Sequence, residues 1–309
     1  NGSLVIIVWL GKNDKDEPEK TSERLIPIGS VVSVDQTMRP LGDMPKRYAV
    51  YYIGPFGEPE FFLLNYAKEE GETESMYDKL LLNQEIDLIS KYIPKGSKIL
   101  DAGCGEGEGT FVYSKIPNVT IHAADFSETR LRKAEQNLSD RKNIKFFKID
   151  FLNDYQLDRD YDVIISQRFL INLMKWEKQK KIIKDFIGMI KNSGLLILYE
   201  GSQNGTNELN DLRKNFGLPE IPVRWHNNFF DDNQLEDFLA QNKMELIQKD
   251  GLGEYFFLTR GVRPIFDDNL NWDCDFNKNA SLLEIKEKLS FHDKFSRTKL
   301  WVAQKNKNL

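Results

Sequence analysis

A glycine-rich run, Asp101-Ala102-Gly103-Cys104-Gly105-Glu106-Gly107-Glu108-Gly109-Thr110, follows directly on the apolar stretch Lys98-Ile99-Leu100. Glycines placed after a strand let the backbone approach a ligand closely. The crevice beyond the carboxyl ends of parallel strands is where open α/β sheets bind ligands. Two ligand classes compete for such a loop. A dinucleotide site needs G-x-G-x-x-G, with a helix N-terminus on the pyrophosphate. That spacing fails from either start, because position 108 is Glu and position 110 is Thr. Asp101, Glu106 and Glu108 would also repel a pyrophosphate. The same acids suit a cationic ligand, one carrying an ammonium and a sulfonium.

Further acids fall where such a ligand needs them. Asp125 ends a second apolar stretch, and a carboxylate there can accept both hydroxyls of a ribose. Asp150 ends a third and is followed by Phe151, an acceptor for an adenine amino group with a ring beside it. Each acid taken alone reads equally well as a solvated loop residue or a helix cap. One acid at each of three successive strand ends, with glycines after the first, is a more specific pattern.

Stepping outward, the elements that carry these residues alternate. Leu80–Ile93 has helical spacing and is stopped by Pro94-Lys95-Gly96. Strands are expected at Lys98–Ala102, Val119–Ala124, Ile144–Ile149, Tyr161–Ser166 and Leu195–Tyr199. Ser127 caps a helix through Leu138, and Trp176–Lys191 is a helix ended by Asn192-Ser193-Gly194. Strands separated by helices imply a mostly parallel, doubly wound sheet. Beyond it a helix over Asp231–Gln241 and strands over Met244–Lys249, Tyr255–Thr259 and Thr298–Gln304 are expected. Residues 1–77 carry no chemical motif. Strands at Leu4–Leu10, Leu25–Val34 and Ala49–Ile53, a turn at Gly54–Gly57 and a short helix at Phe61–Lys68 make them a small β-rich appendage of undetermined role. The main domain is then 78–309, with insertions near 201–230 and 261–290.

Composition narrows the function classes. The chain has 309 residues and 43 basic against 48 acidic side chains, a net −5, which disfavours duplex nucleic acid as partner. Its 40% hydrophobic content is that of an ordinary globular protein. Two cysteines, Cys104 and Cys274, cannot make a disulfide framework. The apolar run Leu4–Leu10 is far short of the roughly 20 residues a membrane span requires, and it lacks the flank and cleavage site of a signal peptide. A cytoplasmic location is therefore expected, and a homo-oligomer is compatible with these features. The chain opens Asn1-Gly2-Ser3 without a methionine, as expected either of a few added leading residues or of a piece cut from a longer polypeptide. No histidine or cysteine cluster suggests a metal.

Lys98-Ile-Leu-Asp-Ala-Gly-Cys-Gly-Glu-Gly107 resembles motif I of class I S-adenosylmethionine-dependent methyltransferases. Ala124-Asp125-Phe126-Ser127, followed by Lys133-Ala134, is similar to that family's ribose-binding segment, and Asp150-Phe151 to its adenine-contacting position. Asp162–Gln167 resembles its fourth strand, and Ile190–Glu200 its turn and fifth strand, with Asn192-Ser193-Gly194 in place of the usual Pro-Gly-Gly. The resemblance covers about residues 80–200. It implies a Rossmann-like sheet of seven strands, the last antiparallel, with S-adenosyl-L-methionine as cofactor. It further implies that Gly103, Gly105 and Gly107 surround the methionine part, and that Asp101, Asp125, Phe126, Asp150, Phe151 and Gln167 complete the cofactor set. Cys104 is a small loop residue in this reading, not a nucleophile.

In this fold the methyl acceptor approaches from the ends of strands four and five. Arg168 and Asn172 follow strand four and are candidates for the acceptor pocket, with a surface ion pair and a helix-start hydrogen bond as their plain alternatives. Glu200 ends strand five and could be a base, an orienting acceptor or a solvated strand end. Residues 201–230 exceed a minimal connection, so a lid or substrate wall is expected. Within them Arg224-Trp225-His226-Asn227-Asn228-Phe229 is dense in side chains that bind polar ligands. Trp225 and Asn227 are candidate acceptor contacts. His226 is the best placed of three histidines to act as a base near neutral pH. His122 lies inside a strand, as a packed residue would, and His292 sits in a charged tail.

Arg168-Phe-Leu-Ile-Asn172-Leu, Leu209-Asn210 with Arg213, and Trp225-His226-Asn227 look similar to bacterial methyltransferases of sugar and surface-polysaccharide pathways. That resemblance implies a small-molecule hydroxyl acceptor, a sugar or nucleotide sugar, and a role in carbohydrate biosynthesis. The alternatives are a protein or nucleic-acid methyltransferase and a non-catalytic cofactor-binding scaffold. Amino-directed nucleic-acid enzymes of this fold carry Asn/Asp-Pro-Pro-aromatic after strand four, where this chain reads Ser166-Gln-Arg-Phe169.

Overall fold

The computed structural model describes residues 78–306 except 154, 268–270, 287–290 and 292. Before residue 78 it describes five strands by their backbone. The chain divides into two compact units, Asn1–Glu74 and Ser75–Leu309. In the first, β1 (Leu4–Val8) pairs antiparallel with β2 (Ser22–Ile26), while β3 (Ser33–Val34), β4 (Ala49–Ile53) and β5 (Pro59–Phe61) form a separate antiparallel sheet. Phe61, expected to open a helix, lies in β5. The rest of that expected helix and the turn at 54–57 lie outside the described residues, as does His292.

The second unit is built on seven strands. They are β6 (Lys98–Ala102), β7 (Thr120–Asp125), β8 (Ile144–Lys148), β9 (Tyr161–Gln167), β10 (Ile190–Gly201), β11 (Met244–Gly251) and β12 (Thr298–Lys305). Their spatial order is β11-β12-β10-β9-β6-β7-β8. The pairs among β6 to β10 are parallel, and β12 runs antiparallel between β10 and β11. This is the doubly wound, Rossmann-like methyltransferase sheet, with its last strand antiparallel. β6 lies between β7 and β9, so the chain reverses its direction of winding there. The crevice beyond the carboxyl end of β6 is thus the switch point at which sheets of this kind take ligands.

Both faces of the sheet are covered, so its strands read as continuous apolar runs. Strand alternation sorts them. Ile99, Ile121, Ile165, Ile197 and Val302 point to one face, beneath α1 (Lys79–Ser90), α3 (Glu128–Asn137) and α5 (Gln203–Asn215). Leu100, Ala124, Ile164, Leu198 and Trp301 point to the other, beneath α4 (Trp176–Met189) and α6 (Asp232–Gln241). Helix starts follow side-chain caps. Asp78 accepts from Leu81 N at 3.0 Å, Ser127 from Arg130 N, Ser202 from Gly205 N and Asp231 from Gln234 N. A short helix, α2 (Glu108–Tyr113), starts at Gly107.

The strand expected over Tyr255–Thr259 is not one. The chain there is helical, α7 (Gly253–Phe256), continuing into a π-helical turn, Phe257–Val262. Aromatic and β-branched residues favour strands only where they meet a pleated surface. Here the Tyr255 hydroxyl reaches the Asp78 carboxylate at 3.0 and 3.1 Å, and the Thr259 hydroxyl bonds Tyr255 O at 2.6 Å one turn away. Tertiary anchoring overrides the local preference. Residues 261–290, expected as an insertion, carry α8 (Asp275–Lys286), and the preceding 3₁₀ turn is Arg263–Ile265.

Candidate active site

The turn after β6 is clasped to β7. Gly103 N and Cys104 N both donate to Ala124 O, at 2.8 and 3.0 Å. Gly105 N donates to Asp125 Oδ2 at 2.9 Å, and Ser127 N to Asp125 Oδ1 at 2.8 Å. Asp125 therefore fixes two loops while its remaining lone pairs stay free to accept. Its carboxyl is raised above the ordinary range, chiefly by burial. Gly103 has φ +76°, and a Cβ there would lie 2.5 Å from Phe169 Cβ. Both the backbone conformation and the ring above it demand glycine. Gly105, at φ +58°, has open space where a Cβ would stand, with Arg130 Nη1 nearest at 4.0 Å. Gly107 caps α2 and packs on Leu138 and Ala134 of the α3 region.

The loop acids divide. Glu106 pairs with Lys133 at 3.2 Å and Glu108 with Lys79 at 3.6 Å, so neither stands as an uncompensated charge in the loop. This corrects the expectation that all three acids face a cation. Asp101 is buried at the end of β6, accepts from the Thr110 hydroxyl at 2.6 Å, and burial pushes its carboxyl up to about 6. Cys104 is buried too. Burial first, then Asp101 and Asp125, hold its thiol well above its usual value, which fits a small loop residue.

At the end of β8, Asp150 is exposed and turns its carboxylate onto Leu152 N at 2.9 Å and Asn153 Nδ2 at 2.7 Å. Phe151 is buried among aromatic rings, 5.4 Å from Phe169 and 5.3 Å from Phe186 by centroids. Phe126 is half-exposed beside Asp125. Phe169 thus links the glycine turn to the residues after β8.

The end of β9 is organised by a residue that sequence reasoning missed. Glu85 of α1 is fully buried and accepts from Arg168 Nε at 2.9 Å, Gln167 Nε2 at 3.2 Å and the Thr298 hydroxyl at 3.2 Å. Gln167 Oε1 accepts from the Tyr113 hydroxyl at 3.3 Å. Arg168 adopts φ +52°, which turns its side chain back onto Glu85. The available signal was a carboxylate on the apolar face of a helix, one turn from Leu81. Glu200 is not a solvated strand end. It is fully buried and accepts from the Ser166 hydroxyl at 2.6 Å and from Phe169 N, Leu170 N and Ile171 N at 3.0–3.2 Å. It thereby holds the 3₁₀ turn Leu170–Asn172, which Asn172 also closes by donating to Arg168 O at 2.9 Å.

The connection 216–230 is bound to the same edge. Asn228 N donates to Ile171 O at 2.8 Å, and Phe230 bridges to Ser202 just past β10. Trp225 is partly exposed, with its ring 5.2 Å from that of His226 at 85°. Asn227 Oδ1 is buried with no partner among the described residues. His122, by contrast, is packed in β7 against Phe147 and bonds the Tyr161 hydroxyl at 2.8 Å.

The residues at the switch point fit S-adenosylmethionine. The open cradle at Gly105, the free lone pairs of Asp125 and the buried acid Asp101 suit a ligand with ribose hydroxyls and a positive charge, and none of them suits a pyrophosphate. A family model described as methyltransferase domain matches residues 99–194. A carboxy-S-adenosyl-L-methionine synthase of Nautilia profundicola is 23% identical over 59% of this chain and 85% of its own length. A malonyl-[acyl-carrier protein] O-methyltransferase of Halalkalibacterium halodurans is 30% identical over 37% of this chain and 42% of its own length. This chain therefore spans less than half of that second relative. The fold matches a chain of the solved complex between the Haloferax volcanii Trm112 methyltransferase activator and a methyltransferase. The TM-score is 0.51 at 11% identity, covering 79% of this chain and 97% of that one. Glycine turn, clasped aspartate, strand order and domain match agree: the sheet is that of the Rossmann-like methyltransferases, residues 99–194 match a methyltransferase domain, and S-adenosylmethionine is the cofactor.

Proposed function

We propose that the protein transfers a methyl group to a hydroxyl of a small-molecule acceptor, a sugar or nucleotide sugar. The observation that carries the reading is the placement of the polar segment 224–229, tied by a backbone bond from Asn228 to the turn after β9 and, through the adjoining Phe230, to the end of β10. Those strand ends adjoin the switch point. An O-methyltransferase among the relatives supports the choice of oxygen.

When bound, the cofactor supplies a methyl group activated by its sulfonium. Gly103, Gly105 and Gly107 shape the methionine end, and Asp101 faces its ammonium. Asp125 accepts the ribose hydroxyls, with Phe126, Asp150 and Phe151 flanking the adenine and Gln167 closing the cofactor side. Arg168, Asn172, Trp225 and Asn227 wall the acceptor. His226 takes the hydroxyl proton as the oxygen attacks, and alignment of that oxygen provides much of the acceleration. Glu200 serves the same step by fixing the turn that carries Asn172.

Incubation with S-adenosylmethionine and a panel of sugars, nucleotide sugars, amines and carboxylic acids tests the reading. Methyl ethers on a sugar hydroxyl are expected. Turnover confined to amines or carboxylates would overturn the acceptor, and cofactor binding without any turnover would favour a scaffold.

A further inference from the structure

Arg297 stands immediately before β12. Because β12 runs antiparallel to β10, this start lies at the carboxyl end of β10, and Ser202 N donates to Arg297 O at 2.9 Å. The guanidinium lies over the Phe229 ring at 5.7 Å, and its Nη2 donates to Pro222 O at 3.0 Å. Its Nε is buried with no partner among the described residues. The half-buried side chain therefore packs against the same connection that carries Trp225 and His226.

Four further guanidiniums, those of Arg168, Arg213, Arg224 and Arg260, act on it. Burial first, and then repulsion from these four, lowers Arg297 to about 10. Two of the five arginines have buried counter-charges, Arg168 on Glu85 and Arg260 on Asp78. Arg213 is buried and, among the described residues, bonds only carbonyls, Pro219 O at 2.8 Å and Arg260 O. Among the described residues Arg213, Arg224 and Arg297 have no carboxylate at ion-pair distance. Burying a guanidinium without a counter-charge is unfavourable, which bears on the buried Arg213 and on the half-buried Arg297 with its orphaned Nε, while Arg224 is exposed. Such an arrangement is reasonable where a ligand provides the missing charge, and a guanidinium fork matches a carboxylate or phosphate in two parallel bonds.

We propose that Arg297, with the exposed Arg224 two residues on from the Pro222 carbonyl that Arg297 bonds, binds an oxyanion group of the methyl acceptor, so that the acceptor is an anion carrying a phosphate or a carboxylate. The inference rests on the acceptor site proposed above, and it selects phosphorylated or acidic hydroxyl compounds from that class over neutral sugars.

The test needs no turnover, so it separates this inference from the proposed reaction. Inorganic phosphate and malonate serve as probes, titrated calorimetrically at low ionic strength into the full chain saturated with S-adenosylhomocysteine. One of them is expected to bind, more weakly as salt rises. Phosphate alone marks a phosphorylated acceptor, and malonate alone a carboxylated one. Arg297→Gln should weaken the anion roughly ten- to a hundredfold while leaving S-adenosylhomocysteine affinity unchanged. Arg297→Lys keeps the charge without the fork and should fall between. Lys145→Gln, an exposed lysine of β8, should change nothing. If neither anion binds the wild type, or if Arg297→Gln and Arg297→Lys bind as the wild type does, the inference fails. Equal losses in Arg297→Gln and Lys145→Gln would likewise overturn it, since net charge would then be the cause. Should Arg297→Gln not fold, phenylglyoxal labelling of the wild type, read by mass spectrometry, decides. Arg297 should be modified and protected by the bound anion, and modification that the anion leaves unchanged overturns the proposal.

Discussion

Asp125 carries two duties that one substitution separates from the rest of the site. It anchors Gly105 and Ser127, and it is proposed to accept the ribose hydroxyls. A hydrogen bond to a charged group contributes about 1.5–3 kcal/mol, so Asp125→Ala should weaken S-adenosylmethionine binding by roughly ten- to a hundredfold. Calorimetry on the folded variant measures this, and unchanged affinity would remove Asp125 from the cofactor set. His226 is tested by rate. His226→Ala and His226→Gln should each lower kcat about a hundredfold or more with cofactor affinity retained, because neither can take a proton near neutral pH. Near-normal kcat in both variants would leave alignment alone to carry the step. Glu200 is tested by stability. Burial raises its carboxyl from 4.5 to about 7. A carboxyl raised on folding binds protons preferentially in the folded state between those values. Its contribution is therefore present below about 4.5 and lost as pH rises through about 7. Urea midpoints of wild type and Glu200→Gln should accordingly move apart across that window, in favour of the variant as pH rises. Parallel curves would mean that the four donors around Glu200 hold it charged throughout.

At the scale of elements, the connection 216–230 depends on one close approach. A Cβ on Gly201, the last residue of β10, would lie 2.3 Å from Phe229 Cδ1. Phe229 also lies beneath Arg297. The connection is thus seated on the strand end by a missing side chain. Trp225→Ala, which leaves that seat intact, should raise the acceptor KM several-fold with little effect on cofactor affinity. If cofactor affinity collapses while KM stays put, the segment serves the cofactor instead. The turn after β9 shows the complementary arrangement. Glu200 satisfies three consecutive N–H groups of that turn, so its position is set by β10, the strand beside it. The run Leu252–Thr259 shows how an element can contradict its composition, since the aromatic residues that suggested a strand are spent on Asp78 and on helix packing.

For the whole molecule, β12 is the keystone of the sheet because it fills the place between β10 and β11. Leu300, Trp301 and Val302 are fully buried, split between the two faces. Each such side chain contributes about 1.5–3 kcal/mol on burial, and the total stability of a domain is roughly 5–15 kcal/mol. A chain ending at Arg297 should therefore fail to fold cooperatively, and near-ultraviolet circular dichroism with a cooperative melt would disprove this. The amino-acid sequence alone determined the parallel sheet, the glycine turn and the cofactor. These depend on local offsets: a short apolar run, glycines just after it and an acid at its end, the pattern that carries the resemblance implying the cofactor. The helix cap at Ser127 is legible for the same reason. Tertiary structure alone decided the pairing of Arg168 with Glu85, 83 residues away, of Arg260 with Asp78, 182 away, and the arrival of Arg297 at the carboxyl end of β10 over Phe229. Such pairs form only when the antiparallel last strand inserts between its neighbours and helix α1 closes over the sheet. Contacts made by chain crossing leave no period in the sequence, which is why the glycine turn was legible and the partners of these arginines were not.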